Sequence, residues 1–235
     1  MLLVPDREQR GWVVLVMARG HSLHGAIVGL ALAPLAWHLD PGMGPVLGSA
    51  AWTIGTTIGS LVPDLDHPKS RLTHALGPVT WLINKVLVRL SKSVYYLTRS
   101  NQDYPDTNGH RCLTHTPVFA AVLAAAVSWG LAATDARPAA VLVGAALGTG
   151  CLAHLFGDSL TNSGVPWLWP LKNRSTGRRW QHYGIPKVMR FETGGGTSHG
   201  KALTWKAHGE HIVTAASMGL VVAVPAFYLV AGWGI

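Results

Sequence analysis

Apolar positions dominate five stretches of the chain, separated by short turns or by two long polar connections. His24–His38 is the first, interrupted by Pro34 and closed by an Asp40-Pro-Gly turn. Gly44–Val62 follows as 19 residues without a charge, about 28 Å as an α-helix and close to the thickness of a hydrocarbon core. Pro117–Ala133 and Ala139–Gly157 flank the turn at Asp135–Pro138, and Ile212–Trp233 is the last run. Thr116 is placed to cap the third run, with Pro117 in its first turn, where a backbone N–H is not needed. Trp81–Leu97 has a different pattern: apolar residues at helical spacing with Lys85, Arg89 and Lys92 between them, as in a helix lying on a membrane surface. Residues 1–22 carry Arg7, Arg10 and Arg19 around a short apolar patch and read as an interfacial lead-in. Trp12–Ala18 is too short for a cleaved signal, and no clear cleavage site precedes Arg19. The pattern predicts an all-α fold, a polytopic helical membrane bundle of about five spans with an amphipathic interfacial helix, as a single domain over residues 1–235.

Composition agrees with lipid as part of the solvent. Charged residues are 13% of the chain, against roughly 25% in soluble domains. The net charge of +8 resides in the loops and forms no separate basic domain. Nucleic acid is therefore not an expected partner, whereas anionic lipid headgroups or a phosphate-bearing substrate are; no oligomeric state is implied. Five spans put both long connections on the side of the N-terminus. Eighteen of the 19 Lys and Arg then share that side, and only Arg137 is opposite, so the positive-inside bias predicts that side to be cytoplasmic. Eleven of the 12 His sort with them, His38 being the exception. Trp167, Trp169 and Trp180 suit the headgroup zone. Cys112 and Cys151 make no disulfide framework and are expected to be unpaired.

This sorting brings several ligand-grade clusters to one membrane level. Asp64, Asp66 and His67 end the second run, His110 and His115 precede the third, and His154 and Asp158 end the fourth. His154 and Asp158 are four apart and share a helix face; alone they would be a structural pair, but together with the other clusters they read as metal ligands. His110 and His115 can fold toward one point from a loop, and the plainer reading makes them a loop residue and a helix-end residue. Carboxylates as close as Asp64 and Asp66 resist joint ionisation without a cation beside them, although a polar helix stop would also use them. His24 is a further candidate ligand or an interfacial residue. His21, His74, His182, His199 and His208 are expected in loops. Arg111 could contact phosphate or anionic lipid, and Arg174, Arg178, Arg179 and Arg190 could hold an anionic headgroup.

Three segments in this order and spacing, LVPDLDHPKS at 61–70, HRCLTHT at 110–116 and LAHLFGDSLTNSGVPWLWPL at 152–171, resemble the YdjM-type family of bacterial inner-membrane proteins classed as metal-dependent hydrolases. The resemblance covers about residues 20–191. It implies a ligand role for Asp64, Asp66, His67, His110, His115, His154 and Asp158. It adds His24 through a His-x-x-x-Gly pattern, here stretched to His24 and Gly29. Arg190-Phe191 with Thr193-Gly194 is similar to the family's late Arg-Phe-x-Thr-Gly piece, which implies a structural or substrate contact for Arg190. Cys112 departs from the pattern, since related sequences have Gly after the His-Arg pair.

Residues and resemblance together lead to one expected function. A membrane-bound hydrolase would use Asp64, His115 and Asp158 in catalysis and His24, Asp64, Asp66, His67, His110, His115, His154 and Asp158 as metal ligands. Arg111, Arg174 and Arg190 would bind substrate. Mixed imidazole and carboxylate ligands suit one or two divalent ions, Zn²⁺ or Mn²⁺. The substrate would be a phosphoester or ester of a lipid-like molecule at the cytoplasmic face of the inner membrane. The alternative is a divalent-metal transporter or sensor without hydrolysis, whose ligands should lie nearer the bilayer midplane; a scaffold with a structural metal is a third class. No His-Glu-x-x-His is present for an intramembrane zinc protease.

Overall fold

The computed structural model describes residues 7–67, 73, 77–103, 111–159 and 164–183. Helix α1 spans Arg7–Leu32, so the expected lead-in and the start of the first span are one continuous helix. It ends where Pro34 removes a donor from the helical ladder: residues Ala33–Leu35 tighten into a 3-10 turn, and a short helix α2, Ala36–Leu39, leads to Asp40. Helix α3 covers Pro45–Gly59 with a proline in its first turn, and α4 covers Pro78–Thr98. Helix α5, Pro117–Ala132, starts as expected, with the Thr116 hydroxyl accepting from the Phe119 N–H at 3.1 Å. Helix α6 is Ala140–Ser159.

The regular elements among the described residues are thus all helices, joined by turns, with one isolated bridge between Val165 and Tyr183. Arg137–Ser159 alone among them is long and apolar enough to cross a membrane; Gly20–Leu35 and Pro117–Ala132 are apolar but shorter. These lengths do not carry the five-span count. The 15 residues of α3 reach only about 22 Å, because the helix ends at Gly59 with Ser60 as its C-cap, before the last residues of the expected run. A 3-10 turn, Pro63–Asp66, follows. The fifth expected span, Ile212–Trp233, lies outside the described residues.

Helix α6 is the centre of the bundle and packs on α1, α3 and α5. Small residues make the contacts. A Cβ on Gly59 would run into the Leu147 carbonyl, and one on Gly150 into the Thr56 carbonyl, so α3 and α6 meet backbone to backbone, the packing common between membrane helices. Buried Thr56 and Ser60 return their hydroxyls to the Thr53 and Thr57 carbonyls. Large apolar side chains point outward instead: Leu47 and Ile54 on α3, Val122 and Trp129 on α5, Val141 and Phe156 on α6. Around a few buried large side chains, Trp52, Leu142 and Leu155, the interior is mostly small or polar. The outside is rich in large apolar residues, the distribution expected when lipid covers the surface.

Helix α4 has the same inversion. Its inward face is Thr80, Asn84, Ser91 and Tyr95. Asn84 Nδ2 donates to the Leu65 carbonyl at 2.5 Å and Thr80 Oγ1 to the Thr73 carbonyl at 2.9 Å, while Ser91 Oγ accepts from the Leu113 N–H at 3.1 Å. The helix therefore braces the two loops on which Asp64 and His115 sit. Beyond it, Trp169 and Trp180 stack at 4.8 Å and both donate their indole N–H to Thr98 Oγ1. Trp180 is buried against Tyr95 and Cys112, not at the lipid surface where its type suggested. Asp103 ties this segment down. Burial alone would raise its pKa, but the N–H groups of Ser100 and Trp180, the Ser100 hydroxyl and the Arg179 N–H hold its carboxyl below the usual 3.8. Cys112 and Cys151 are buried free thiols.

Candidate metal centre

The ends of three helices and the side of a fourth deliver the site. Pro63 and the 3-10 turn stop α3 and turn Asp64 and Asp66 back over the bundle end. Another short 3-10 turn, Leu113–His115, directly precedes the Thr116 cap and fixes His115 at the start of α5. His154 and Asp158 project from adjacent turns of α6, and α1 brings His21 alongside.

His154 and His115 are wholly buried, and Asp66 and Asp158 nearly so. His154 Nδ1 lies 2.7 Å from the Ser60 carbonyl. A carbonyl only accepts, so Nδ1 carries a proton, and in the neutral ring Nε2 presents its lone pair. His115 is oriented by a relay of the same kind. Thr114 Oγ1 donates its single proton to Asp66 Oδ2 at 2.6 Å, so at His115 Nδ1, 3.0 Å away, the hydroxyl can only accept. That again leaves Nε2 as the lone-pair nitrogen.

The two Nε2 atoms point at carboxylates. His154 Nε2 is 3.7 Å from Asp64 Oδ1 and 3.6 Å from Asp158 Oδ2. His115 Nε2 is 3.9 Å and 3.4 Å from the same two oxygens. These separations exceed hydrogen-bonding distance for most pairs, and His154 Nε2 is buried without a hydrogen bond. They match instead the spacing of ligands around one small ion, since bonds of about 2.0–2.2 Å at tetrahedral angles separate donor atoms by roughly 3.4 Å. Charge leads to the same conclusion. Three carboxylates, Asp64, Asp66 and Asp158, gather here with one guanidinium, Arg111, whose Nη2 is 3.2 Å from Asp158 Oδ1. With neutral imidazoles two negative charges remain, and a divalent cation cancels them. The donor set fits such an ion.

Among the described residues, two overlapping groups can hold a metal: Asp64, His115 and His154, and His21, His154 and Asp158. His21 stacks on His154 with centroids 3.9 Å apart and puts Nε2 3.7 Å from Asp158 Oδ1. It was expected in a loop; the continuous α1 places it at the site. Its spacing from His24, three residues along one helix, was the available signal, obscured by starting the helix too late. His24 itself is buried one turn farther on, its ring 6.3 Å from Phe156, and belongs to neither group. Asp66 lies behind His115 and holds it through Thr114. His67 is only partly buried and belongs to neither group, though its N–H and carbonyl shape the loop through Asp64 and Thr73. Arg111, at φ 60° the one non-glycine residue with positive φ among those described, is at the site as expected. Arg174 is exposed in the turn 173–178, which docks on Gln102 through Arg178, not on Asp158. His110 and Arg190 lie outside the described residues. Thr114 and the Ser60 carbonyl were not singled out in the sequence, because neither residue type signals a metal site unless its neighbour is known.

A model of the YdjM inner membrane protein family matches residues 16–233. The chain belongs to the YdjM family. The proteins named Inner membrane protein YdjM of Escherichia coli (strain K12) and Shigella flexneri are each 32% identical to it over 162 residues, 67% of this chain and 67% of theirs. No solved structure matches. Membership in the YdjM family supports an inner-membrane location, in keeping with the inverted distribution of side chains. The name describes a place and no reaction, so the chemistry rests on the geometry.

Proposed function

We propose that this YdjM-family protein is a membrane-bound metal-dependent hydrolase whose centre lies at the cytoplasmic end of a multi-span bundle and acts on a phosphoester or ester of a lipid-like substrate. One observation carries the reading: two buried imidazoles, each fixed through Nδ1, aim Nε2 lone pairs at two carboxylates across ion-sized gaps. Asp64, His115, His154 and Asp158 would hold a divalent ion, Zn²⁺ or Mn²⁺; because the single Nε2 lone pair of His154 serves one ion, a second ion would draw on His21 and the other Asp158 oxygen. Such an ion supplies Lewis acidity and lowers the pKa of a nearby water.

The chain's own groups would do the rest. Asp64, with its side chain 24% accessible against 2% for Asp158, is the carboxylate at the mouth, where substrate and water arrive. Arg111 borders that mouth and is placed to balance charge on an anionic oxygen. Asp66 and Thr114 keep the His115 ring in one orientation, and the Ser60 carbonyl does so for His154. Ligands at helix ends favour hydrolysis at headgroup depth over transport, for which a midplane site is expected.

The test is to purify the protein, measure its metal content, and incubate it with lipid phosphoesters and carboxylic esters. We expect a retained divalent ion and turnover that chelator abolishes and metal restores. An ion with no turnover of either ester class would defeat the hydrolase reading in favour of transport or sensing, and a full-length protein that retains no ion would defeat the centre itself.

A further inference from the structure

Helix α4 carries three faces, and the brace to the metal loops accounts for only one. At 100° per residue, Thr80, Asn84, Ser91 and Tyr95 occupy an inward arc of roughly 60°. Val79, Ile83, Val86, Leu90 and Leu97, all exposed, fall on a second arc of about the same width. The third arc holds Trp81, Lys85, Arg89, Lys92, Tyr96 and Arg99 within about 80°. On it, cations and rings pair up: Lys85 Nζ sits 5.4 Å over Trp81, and Arg99 Cζ 4.9 Å over Tyr96. No Asp or Glu occurs between Asp66 and Asp103, so this basic stripe has no acid on its own helix.

We propose that α4 docks on an anionic phospholipid leaflet, with its apolar arc toward the acyl chains and its basic, aromatic arc on the lipid phosphates. Charge complementarity selects this occupant. A second copy paired symmetrically through α4 would set one basic stripe against another. An acidic soluble partner could meet the stripe but would leave the apolar arc in water. A leaflet satisfies both arcs at once, because Lys and Arg lie at headgroup level while their neighbours reach the acyl boundary. The inward arc then has a consequence. Through Asn84 to Leu65 and Ser91 to Leu113, the helix holds the Asp64 and His115 loops at that same depth. This last step rests on the proposed centre; the docking does not.

The experiment uses the full chain in nanodiscs, with nitroxide labels at Ile83→Cys, Leu90→Cys, Lys85→Cys or Lys92→Cys in a Cys112→Ala, Cys151→Ser background. Labels at 83 and 90 should collide more with oxygen than with a water-soluble nickel chelate, and labels at 85 and 92 the reverse. In native mass spectrometry, the Lys85→Gln, Arg89→Gln, Lys92→Gln triple should retain less phosphatidylglycerol by about fivefold or more, with phosphatidylcholine unchanged. Labels at 83 and 90 shielded from both quenchers, as under a protein partner, or open to the chelate, as in water, would overturn the docking. So would equal phosphatidylglycerol retention by the triple variant and the parent. Metal content of the same samples reports separately on the centre, so either reading can fail alone.

Discussion

Asp103 and Asp158 are both buried carboxylates, and they are held in opposite ways. Asp103 is closed by donors from the chain itself: the Ser100 N–H at 2.6 Å, the Ser100 hydroxyl at 3.0 Å, and the N–H groups of Arg179 and Trp180 at 3.1 and 3.0 Å. It sits in a finished knot that fastens the second connection to the end of α4. Asp158 has the Arg111 guanidinium on one oxygen, while its other oxygen faces His115 and His154 at 3.4 and 3.6 Å. A structural acid gathers N–H groups at hydrogen-bonding distance. A ligand gathers other ligands at the spacing of a shared ion. Burial alone does not separate the two; the identity and distance of the neighbours do.

The sharpest way to break the comparison is to remove each acid in turn. His154→Ala and Asp158→Ala should lower bound metal to about a tenth of the parent or less, since His154 belongs to both groups and Asp158 Oδ2 faces both buried imidazoles. Asp103→Ala should keep full metal occupancy while lowering the melting temperature. Metal loss from Asp103→Ala, or retention in both of the others, would erase the distinction. Chelation should then destabilise the parent by about 2.7 kcal/mol from a starting ion concentration of 100 times the dissociation constant, and leave the melting temperature of His154→Ala unmoved.

A smaller effect tests the relay behind His115. Thr114→Val keeps the shape but cannot bridge Asp66 to His115 Nδ1. By analogy with other outer-shell partners the affinity should fall about 10–100-fold, with the fold intact by circular dichroism. An unchanged affinity would make Thr114 a packing residue and leave the tautomer of His115 undetermined.

Much of this was legible in the sequence, for identifiable reasons. Helix positions followed from charge-free runs and, at Pro117, from a proline placed in the first turn; Pro45 and Pro78 open α3 and α4 in the same way but were not singled out. Asp64, His115, His154 and Asp158 stood out because ionisable groups at the ends of apolar runs need a partner. The choice between Asp66 as a ligand and Asp66 as a support could not be read there, since it depends on where the Thr114 proton goes. His21 was hidden because residues 1–22 read as a lead-in and the first run was started at His24, whereas α1 passes through both unbroken. Trp180 was assigned to the membrane surface by residue type, and contacts with Tyr95 and Trp169 put it inside.

The smallest expected effect concerns Asp103 and acid. Asp103→Asn keeps the size and loses the charge, weakening hydrogen bonds that each contribute about 1.5–3 kcal/mol when the acceptor is ionised. The sign of its pH dependence follows from the depressed pKa. The folded protein binds the proton at this site more weakly than the unfolded chain, so the parent's advantage over the variant is full above the unfolded value of about 3.9 and is lost as pH falls through the lower folded value. Melting curves of both proteins, each stripped of metal so that Asp64 and Asp158 contribute equally, should differ by a constant amount from pH 7 to 5 and converge below about pH 4. A difference that widened on acidification would mean that the four donors do not favour the ionised carboxyl, and Asp103 would no longer serve as the finished counterpart to Asp158.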